Sequence, residues 1–193
     1  MTDTVLTAQE AVAEKEAQPG SARQPEGEQP SSPRRICFVC TGNTCRSPMA
    51  AAVFNDLAAR EAGASAAWLG TDPTARPVAL SAGLEAEEGA PITDLAVVAL
   101  GEAGIPSVPG NAYAHHTARQ ADRVLLSSCA RIVGISRRHA MALIFRYPEL
   151  ADRITAMPRD IPDPFGGDLS VYRACLAALT QGIQDMFFPQ SEG

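Results

Sequence analysis

Hydrophobic and polar positions along the chain alternate between two periods. Ile36, Cys37, Phe38 and Val39 form a short continuous apolar run, the pattern of a strand buried on both faces. The run stops at Thr41-Gly42-Asn43, a turn signal. Ser47-Pro48 then predicts a helix start, with Ser47 as N-cap and Pro48 at the first helical position. Met49, Val53 and Leu57 recur at i, i+4 and i+8 and mark its core stripe; Gly63 marks its end. A second strand is predicted over 78–81, after a polar loop that holds Trp68. Helices follow over 93–102, closed by Gly104, and over 121–129. A third strand is expected over 131–135. Ser136 is expected to cap a helix through Tyr147, with Ala140, Leu143, Ile144 and Tyr147 on one face and Pro148 as terminator. A weak fourth strand covers 154–157. The last helix is the clearest: Tyr172, Cys175, Leu176, Leu179, Ile183 and Met186 make a long apolar stripe between Asp168 and Phe188.

Strands alternating with helices define an α/β domain with a parallel sheet and right-handed crossovers. Residues 1–33 break this pattern. They are rich in Glu, Gln, Ala, Pro and Ser, and 18–33 hold almost no large apolar residue, so they read as a disordered tail. Residues 34–193 then form one domain, an ordinary size for a single core.

Composition narrows the function. A net charge of −6 argues against a sequence-independent nucleic-acid surface. Lys15 is the only lysine; the remaining positive charge is arginine. The chain has five cysteines, an odd number without a disulfide framework or zinc spacing, so no metal or other cofactor is expected. No apolar run is long enough to span a bilayer, and the acidic N-terminus has no signal core. These features fit a reducing cytoplasm. Cys37 and Cys40 do form a C-x-x-C, but on a strand pattern rather than at a helix start, which gives a redox-pair reading little weight.

The candidate chemistry lies in the first turn. Parallel sheets bind ligands beyond the carboxyl ends of their strands. There the chain reads Cys40-Thr41-Gly42-Asn43-Thr44-Cys45-Arg46-Ser47-Pro48. A loop wrapping onto a helix start points several backbone N–H groups inward and makes an anion site. Gly42 and Asn43 tolerate the left-handed backbone such a loop requires. Cys40 at its base is expected to be a thiolate of depressed pKa, and Arg46 can fork two hydrogen bonds to phosphoryl oxygens. A nucleophile below and donors around the equatorial oxygens suit in-line phosphoryl transfer. Each residue also has an ordinary reading: Cys40 as core, Ser47 as cap, Asn43 as turn residue, Arg46 as surface charge. All of them would have to hold at once in one short turn. A leaving group also needs an acid. Asp163, fixed between Pro162 and Pro164 and followed by Phe165-Gly166-Gly167, is the candidate; its ordinary reading is a helix-entry turn.

From Ile36 onward the chain resembles the low molecular weight protein-tyrosine phosphatases. The family's V-C-x-G-N-x-C-R-S-P and late D-P are present as Val39 to Pro48 and Asp163-Pro164. The resemblance implies a single three-layer, flavodoxin-like domain with a four-stranded parallel sheet and a phosphate loop after the first strand. It implies that Cys40 forms a phosphocysteine, that Arg46 binds phosphate, and that Asp163 acts as acid and then as base. Thr41, Gly42, Asn43, Thr44, Cys45 and Phe165 would surround the phosphorylated residue. Ser47, Ser81 and His116 would support the loop; with His115 adjacent, the ordinary reading of His116 as an exposed loop histidine stays open. Cys45 would be the reversible disulfide partner of Cys40. The partner is a phosphorylated protein, and the chain is expected to act as a monomer without nucleic acid or membrane.

Three departures bear on the substrate. The loops at 65–76 and 106–114 are longer than usual. Phe165-Gly166 replaces a tyrosine pair. Thr44 replaces a commoner isoleucine or leucine. Phosphotyrosine is the family default, while Thr44 with Asp-Pro-Phe-Gly-Gly is similar to the branch that dephosphorylates protein phosphoarginine. An arsenate reductase would need a cysteine relay just after the third strand, where the sequence reads Ile135-Ser136-Arg137-Arg138-His139. A non-catalytic phosphate-binding adaptor would be expected to lack Cys40, Arg46 or Asp163.

Overall fold

The computed structural model describes residues 35–63, 65 and 78–189. The tail at 1–33, Trp68 and most of the loop at 65–76 lie outside the described residues. Among the described residues four strands alternate with five α-helices: β1 (Arg35–Cys40), α1 (Arg46–Glu61), β2 (Val78–Gly83), α2 (Asp94–Glu102), α3 (Arg123–Ser127), β3 (Cys129–Gly134), α4 (Arg137–Arg146), β4 (Ile154–Ala156) and α5 (Leu169–Phe187). The sheet is parallel throughout, in the order β2-β1-β3-β4. This is the α/β architecture expected from the alternation.

The centre of the sheet is β1, and its side chains divide the core. Ile36, Phe38 and Cys40 face α1, α2 and α5. Cys37 and Val39 face the opposite layer, with Leu126, Ile132 and Leu143. Alternation along a strand therefore sends the sulfurs of Cys37 and Cys40 to opposite faces, which disposes of the C-x-x-C as a redox pair. The chain leaves β1 toward β2 on one side and reaches β3 on the other, so the carboxyl end of β1 is the topological switch point.

α1 is more deeply placed than its apolar stripe indicates. Met49 and Val53 are buried, but so are Ala50, Ala51, Ala52, Ala58 and Ala59 around the other faces. Small side chains let α5, the sheet and the loop after α2 close on it from several directions. Asn55, also buried, donates Nδ2–H to Ala79 O (3.1 Å) and accepts Ala79 N–H at Oδ1 (2.8 Å), on the side of β2 away from β1. Gly63 and Gly104 follow their helices with positive φ, as expected of helix stops.

Four expectations are corrected. Ser47 does not cap α1: the helix begins at Arg46, and Ser47 is fully buried inside it. The helix expected over 121–129 is only Arg123–Ser127, because Asp122 caps it through Leu125 N–H (2.8 Å) and Cys129 already pairs with Arg35 in the sheet. Ile144 does not share the buried face of α4; it is 39% exposed while His139, Ala140 and Leu143 turn inward. The loop at 106–114 does not border the phosphate loop's mouth. It packs on α1, where Asn111 Nδ2–H donates to Ala52 O (3.1 Å), and Tyr113 O–H donates to Ile105 O (2.7 Å).

Candidate active site

The turn after β1 wraps onto the start of α1 and lines a cavity of about 480 Å³. Residues 40–46 form its floor. Glu85, Glu87, Ala90, Pro91, Thr93, Asp163 and Phe165 form its walls.

Asn43 organises the loop. It has φ 59°, the one positive value at a non-glycine among the described residues. Asparagine tolerates this region better than most residues. Gly42, expected to share that conformation, does not adopt it. Asn43 is fully buried, and each of its polar groups has a partner. Its Nδ2 donates to Ser47 Oγ (2.9 Å) and Ser81 Oγ (2.9 Å); its Oδ1 accepts Arg119 N–H (3.0 Å). His116 Nε2–H donates to its carbonyl (2.9 Å), and its own N–H donates to Cys40 Sγ (3.3 Å). Burial lowers the His116 pKa, which suits an imidazole that donates while neutral. Ser81 sits on β2 and Arg119 reaches it with Nε–H to Ser81 O (2.9 Å), so β2 and the segment after α2 both hold the loop. The neighbouring Gly83 leaves no room for a side chain: a Cβ there would stand 2.5 Å from Thr41 O.

Cys40 lies 2% exposed beneath these donors. Its sulfur is 3.0 Å from Ser47 Oγ. Ser47 has one hydroxyl proton and two candidate acceptors, Cys40 Sγ and Ala82 O at 3.2 Å. With a protonated thiol, S–H donates to Ser47 and Ser47 donates to Ala82. With a thiolate, Ser47 turns its proton to sulfur. Burial pushes the Cys40 thiol up from 9.0; Ser47, the Asn43 N–H and Arg46 pull it down without overcoming burial. The expectation of a depressed thiol is therefore not met in this resting arrangement. The reason is desolvation: the sulfur is buried more completely than its donors can offset.

Arg46 points along the cavity floor. Its Nη2 donates to Asp163 Oδ2 (2.5 Å) and its Nη1 to Ile161 O (3.4 Å), while Nε is buried without a partner. Asp163 comes from the loop between β4 and α5, which Asp168 ends by capping α5 through Ser170 and Val171 N–H. Asp163 is the exposed member of the pair, its side chain 49% accessible. Phe165 stands at the rim, 71% exposed.

Thr44 holds the outer wall through its carbonyl, which accepts Thr93 N–H (2.9 Å). Among the described residues its hydroxyl has only the Cys45 sulfur, at 3.7 Å. Cys45 points away from the cavity mouth into a buried polar contact with Tyr172 O–H (3.4 Å) and Thr93 O–H (3.5 Å). Burial and that sulfur raise the Tyr172 phenol to about 12.

The structure thus brings Cys40, Thr41, Gly42, Asn43, Thr44, Cys45, Arg46, Ser47, Ser81, His116, Asp163 and Phe165 around one loop. Sequence reasoning missed Thr93, Tyr172, Arg119 and His139. The last was within reach: it lies three residues after a recognised cap, Ser136, on the inward face of α4.

Comparison with known proteins agrees with this geometry. Residues 35–191 match the family of low molecular weight phosphotyrosine protein phosphatases. A protein-arginine-phosphatase from Geobacillus stearothermophilus is 33% identical over 149 residues, covering 74% of this chain and 86% of that protein. A low molecular weight protein-tyrosine-phosphatase from Streptomyces coelicolor is 31% identical over 174 residues, covering 82% and 96%. The crystal structure of a low molecular weight protein tyrosine phosphatase from T. tengcongensis superposes with a TM-score of 0.65 at 32% identity, covering 78% of this chain and 95% of that one. The chain belongs to the low molecular weight protein phosphatases, a family of cysteine-dependent hydrolases. Among the described residues no helix is long and apolar enough to cross a membrane.

Proposed function

We propose that this chain is a protein-arginine phosphatase in which Cys40 is the nucleophile, Arg46 the phosphate ligand and Asp163 the general acid and base. Cys40, as thiolate, attacks phosphorus in line with the leaving nitrogen. The N–P bond breaks, the S–P bond forms, and protonated Asp163 gives its proton to the leaving guanidine. Arg46 and the loop N–H groups hold the equatorial oxygens. Asp163, now a carboxylate, takes a proton from water as that water attacks phosphorus. The S–P bond breaks, releasing phosphate and restoring Cys40.

The observation that carries the substrate assignment is the wall of the cavity. Glu85 and Glu87 stand beside a phosphate site, where carboxylates repel a dianion unless the substrate also brings positive charge. A phosphoguanidinium does so; a phenyl ester does not. The Thr44 hydroxyl, with no oxygen or nitrogen partner among the described residues, is a polar contact for the guanidinium N–H groups. The arginine-phosphatase relative supports the same reading. Phosphotyrosine, the family default, is favoured instead by Phe165 and Pro91, which offer a ring apolar contact at the rim.

Comparing kcat/KM for phosphoarginine and phosphotyrosine peptides tests the assignment, with Thr44→Ile alongside wild type. Thr44→Ile keeps the β-branch and removes the hydroxyl, so phosphoarginine activity should fall while phosphotyrosine activity holds or rises. A wild type that ignores phosphoarginine makes this a tyrosine phosphatase. Equal loss of both activities makes Thr44 a support of the loop.

A further inference from the structure

The second residue of the phosphate loop is tied to the opposite layer of the fold. Thr41 Oγ1 lies 3.0 Å from His139 Nε2, and His139 Nδ1 lies 2.9 Å from Ser136 Oγ. His139, the middle member, is 2% exposed, while Thr41 and Ser136 at either end are half-buried. The carbonyl of Thr41 is fixed too, accepting Glu85 N–H at 3.0 Å. Thr41 is therefore gripped by β3–α4 through its side chain and by the segment after β2 through its backbone. The peptide joining it to Cys40 has little freedom left.

The same helix start reaches the acid loop. Arg137 N–H donates to Asp160 Oδ1 (2.8 Å), three residues before Asp163. One short stretch, Ser136 to His139, thus touches both the nucleophile's loop and the acid's loop.

The protonation state of His139 gives the chain a direction. Burial, with Arg46 and Arg138 nearby, lowers its pKa to about 4, against the opposing pull of Asp163 and Asp160. A neutral imidazole donates from one nitrogen and accepts at the other. Ser136 Oγ already accepts the His139 backbone N–H as the α4 cap (3.4 Å), which leaves its own proton for Nδ1. Nε2–H then donates to Thr41 Oγ1. The Thr41 hydroxyl keeps its proton to offer elsewhere, and Thr41 lines the phosphate cavity.

We propose that His139 is a positioning residue for phosphoryl transfer, which fixes the Thr41 hydroxyl and the first peptide of the phosphate loop and holds that loop in register with the acid loop. Nothing in the family motif points to it, since it lies outside both Val39 to Pro48 and Asp163-Pro164. The inference rests on Cys40 as the attacking atom, and failure of that assignment shows separately, as turnover retained in Cys40→Ser.

The test is a double-mutant cycle on His139 and Thr41, read with an aryl phosphate so that protein-substrate preference plays no part. His139→Leu and Thr41→Val should each lower kcat and kcat/KM together, by about 10- to 100-fold, the scale of a small misplacement of reacting groups. The double variant should be no slower than the worse single one. His139→Gln, whose amide N–H can reach Thr41, should recover most of the loss. Wild-type turnover in folded His139→Leu overturns the proposal. So do losses that multiply in the double variant, which mean independent roles. If His139→Leu does not fold, the pair His139→Gln and Thr41→Val decides: Thr41→Val must be the slow one, and adding His139→Gln to it must cost nothing further.

Discussion

Arg46 Nη2 donates to Asp163 Oδ2 at 2.5 Å, joining residues 117 positions apart in sequence. The proposed phosphate ligand and the proposed acid therefore occupy each other until substrate arrives. A half-exposed ion pair of this kind is worth about 1 kcal/mol or less, whereas a bidentate arginine–phosphoryl contact in a buried cradle is charge-assisted at both bonds. Phosphate should win Arg46 and set Asp163 free over the leaving group.

Asp163→Asn should then have two opposite effects. Hydrolysis of aryl phosphates should slow by roughly 10²–10⁴, most for leaving groups of high pKa, which need the proton. Binding of inorganic phosphate should tighten, since Arg46 loses its competing carboxylate. Steady-state kinetics across a leaving-group series, with phosphate inhibition constants, checks both. Equal slowing for good and poor leaving groups rules Asp163 out as the acid.

Cys40→Ser should abolish turnover and keep measurable vanadate binding. The cradle rests on Asn43, Ser81, His116 and backbone groups, and it touches the sulfur only through Asn43 N–H and Ser47. Calorimetric titration of vanadate into the variant is the check. Loss of binding in a folded variant shows that the sulfur shapes the cradle.

Peroxide should inactivate the enzyme reversibly. The family resemblance implies a Cys40–Cys45 disulfide, formed when a Cys40 sulfenic acid condenses with the Cys45 thiol and releases water. Cys45 is 4% exposed and held by Tyr172 and Thr93, so it must turn away from both to reach Cys40. Cys45→Ser should convert reversible inactivation into irreversible sulfinic acid. Peptide mass mapping after oxidation reads the outcome, and sulfinic Cys40 beside free Cys45 in wild type counts against the pair.

Stability should fall in acid with a slope that His139 helps to set. Its folded pKa, about 4, lies below the ordinary 6.5, so between those values the unfolded chain binds a proton that the folded chain refuses. The stability is fully present above pH 6.5 and is lost as pH falls toward 4. His116, also lowered by burial, adds in the same direction. Denaturant unfolding at several pH values should show a shallower acid slope in His139→Gln. An unchanged slope shows that carboxylates alone set it.

Much of this architecture was legible because it rests on local rules. The continuous run at 36–39 needed only burial on both faces, and the final helix only its apolar period. The clustering of the loop residues was legible because the turn sits at a switch point. What escaped was set by tertiary contact. Ser47 looks like a cap in any one-dimensional reading, yet Asn43 and Cys40 claim its hydroxyl. Cys129 looks helical beside Leu125 and Leu126, yet β1 recruits it as a ladder partner. The thiol of Cys40 was expected low because donors surround it, yet desolvation outweighs them. His139 carried no motif, because its meaning depends on Thr41 across 98 positions of sequence.

The clasp of Asn55 on Ala79 reaches beyond the monomer's own packing. One side chain presents a donor and an acceptor to the outward-facing C=O and N–H of Ala79 in β2, as a fifth strand would. A parallel sheet left open there offers a template to any extended segment that passes, including the same strand of another copy. At Ala79, α1 occupies that template from within. The two hydrogen bonds come from the same helix that begins the candidate site.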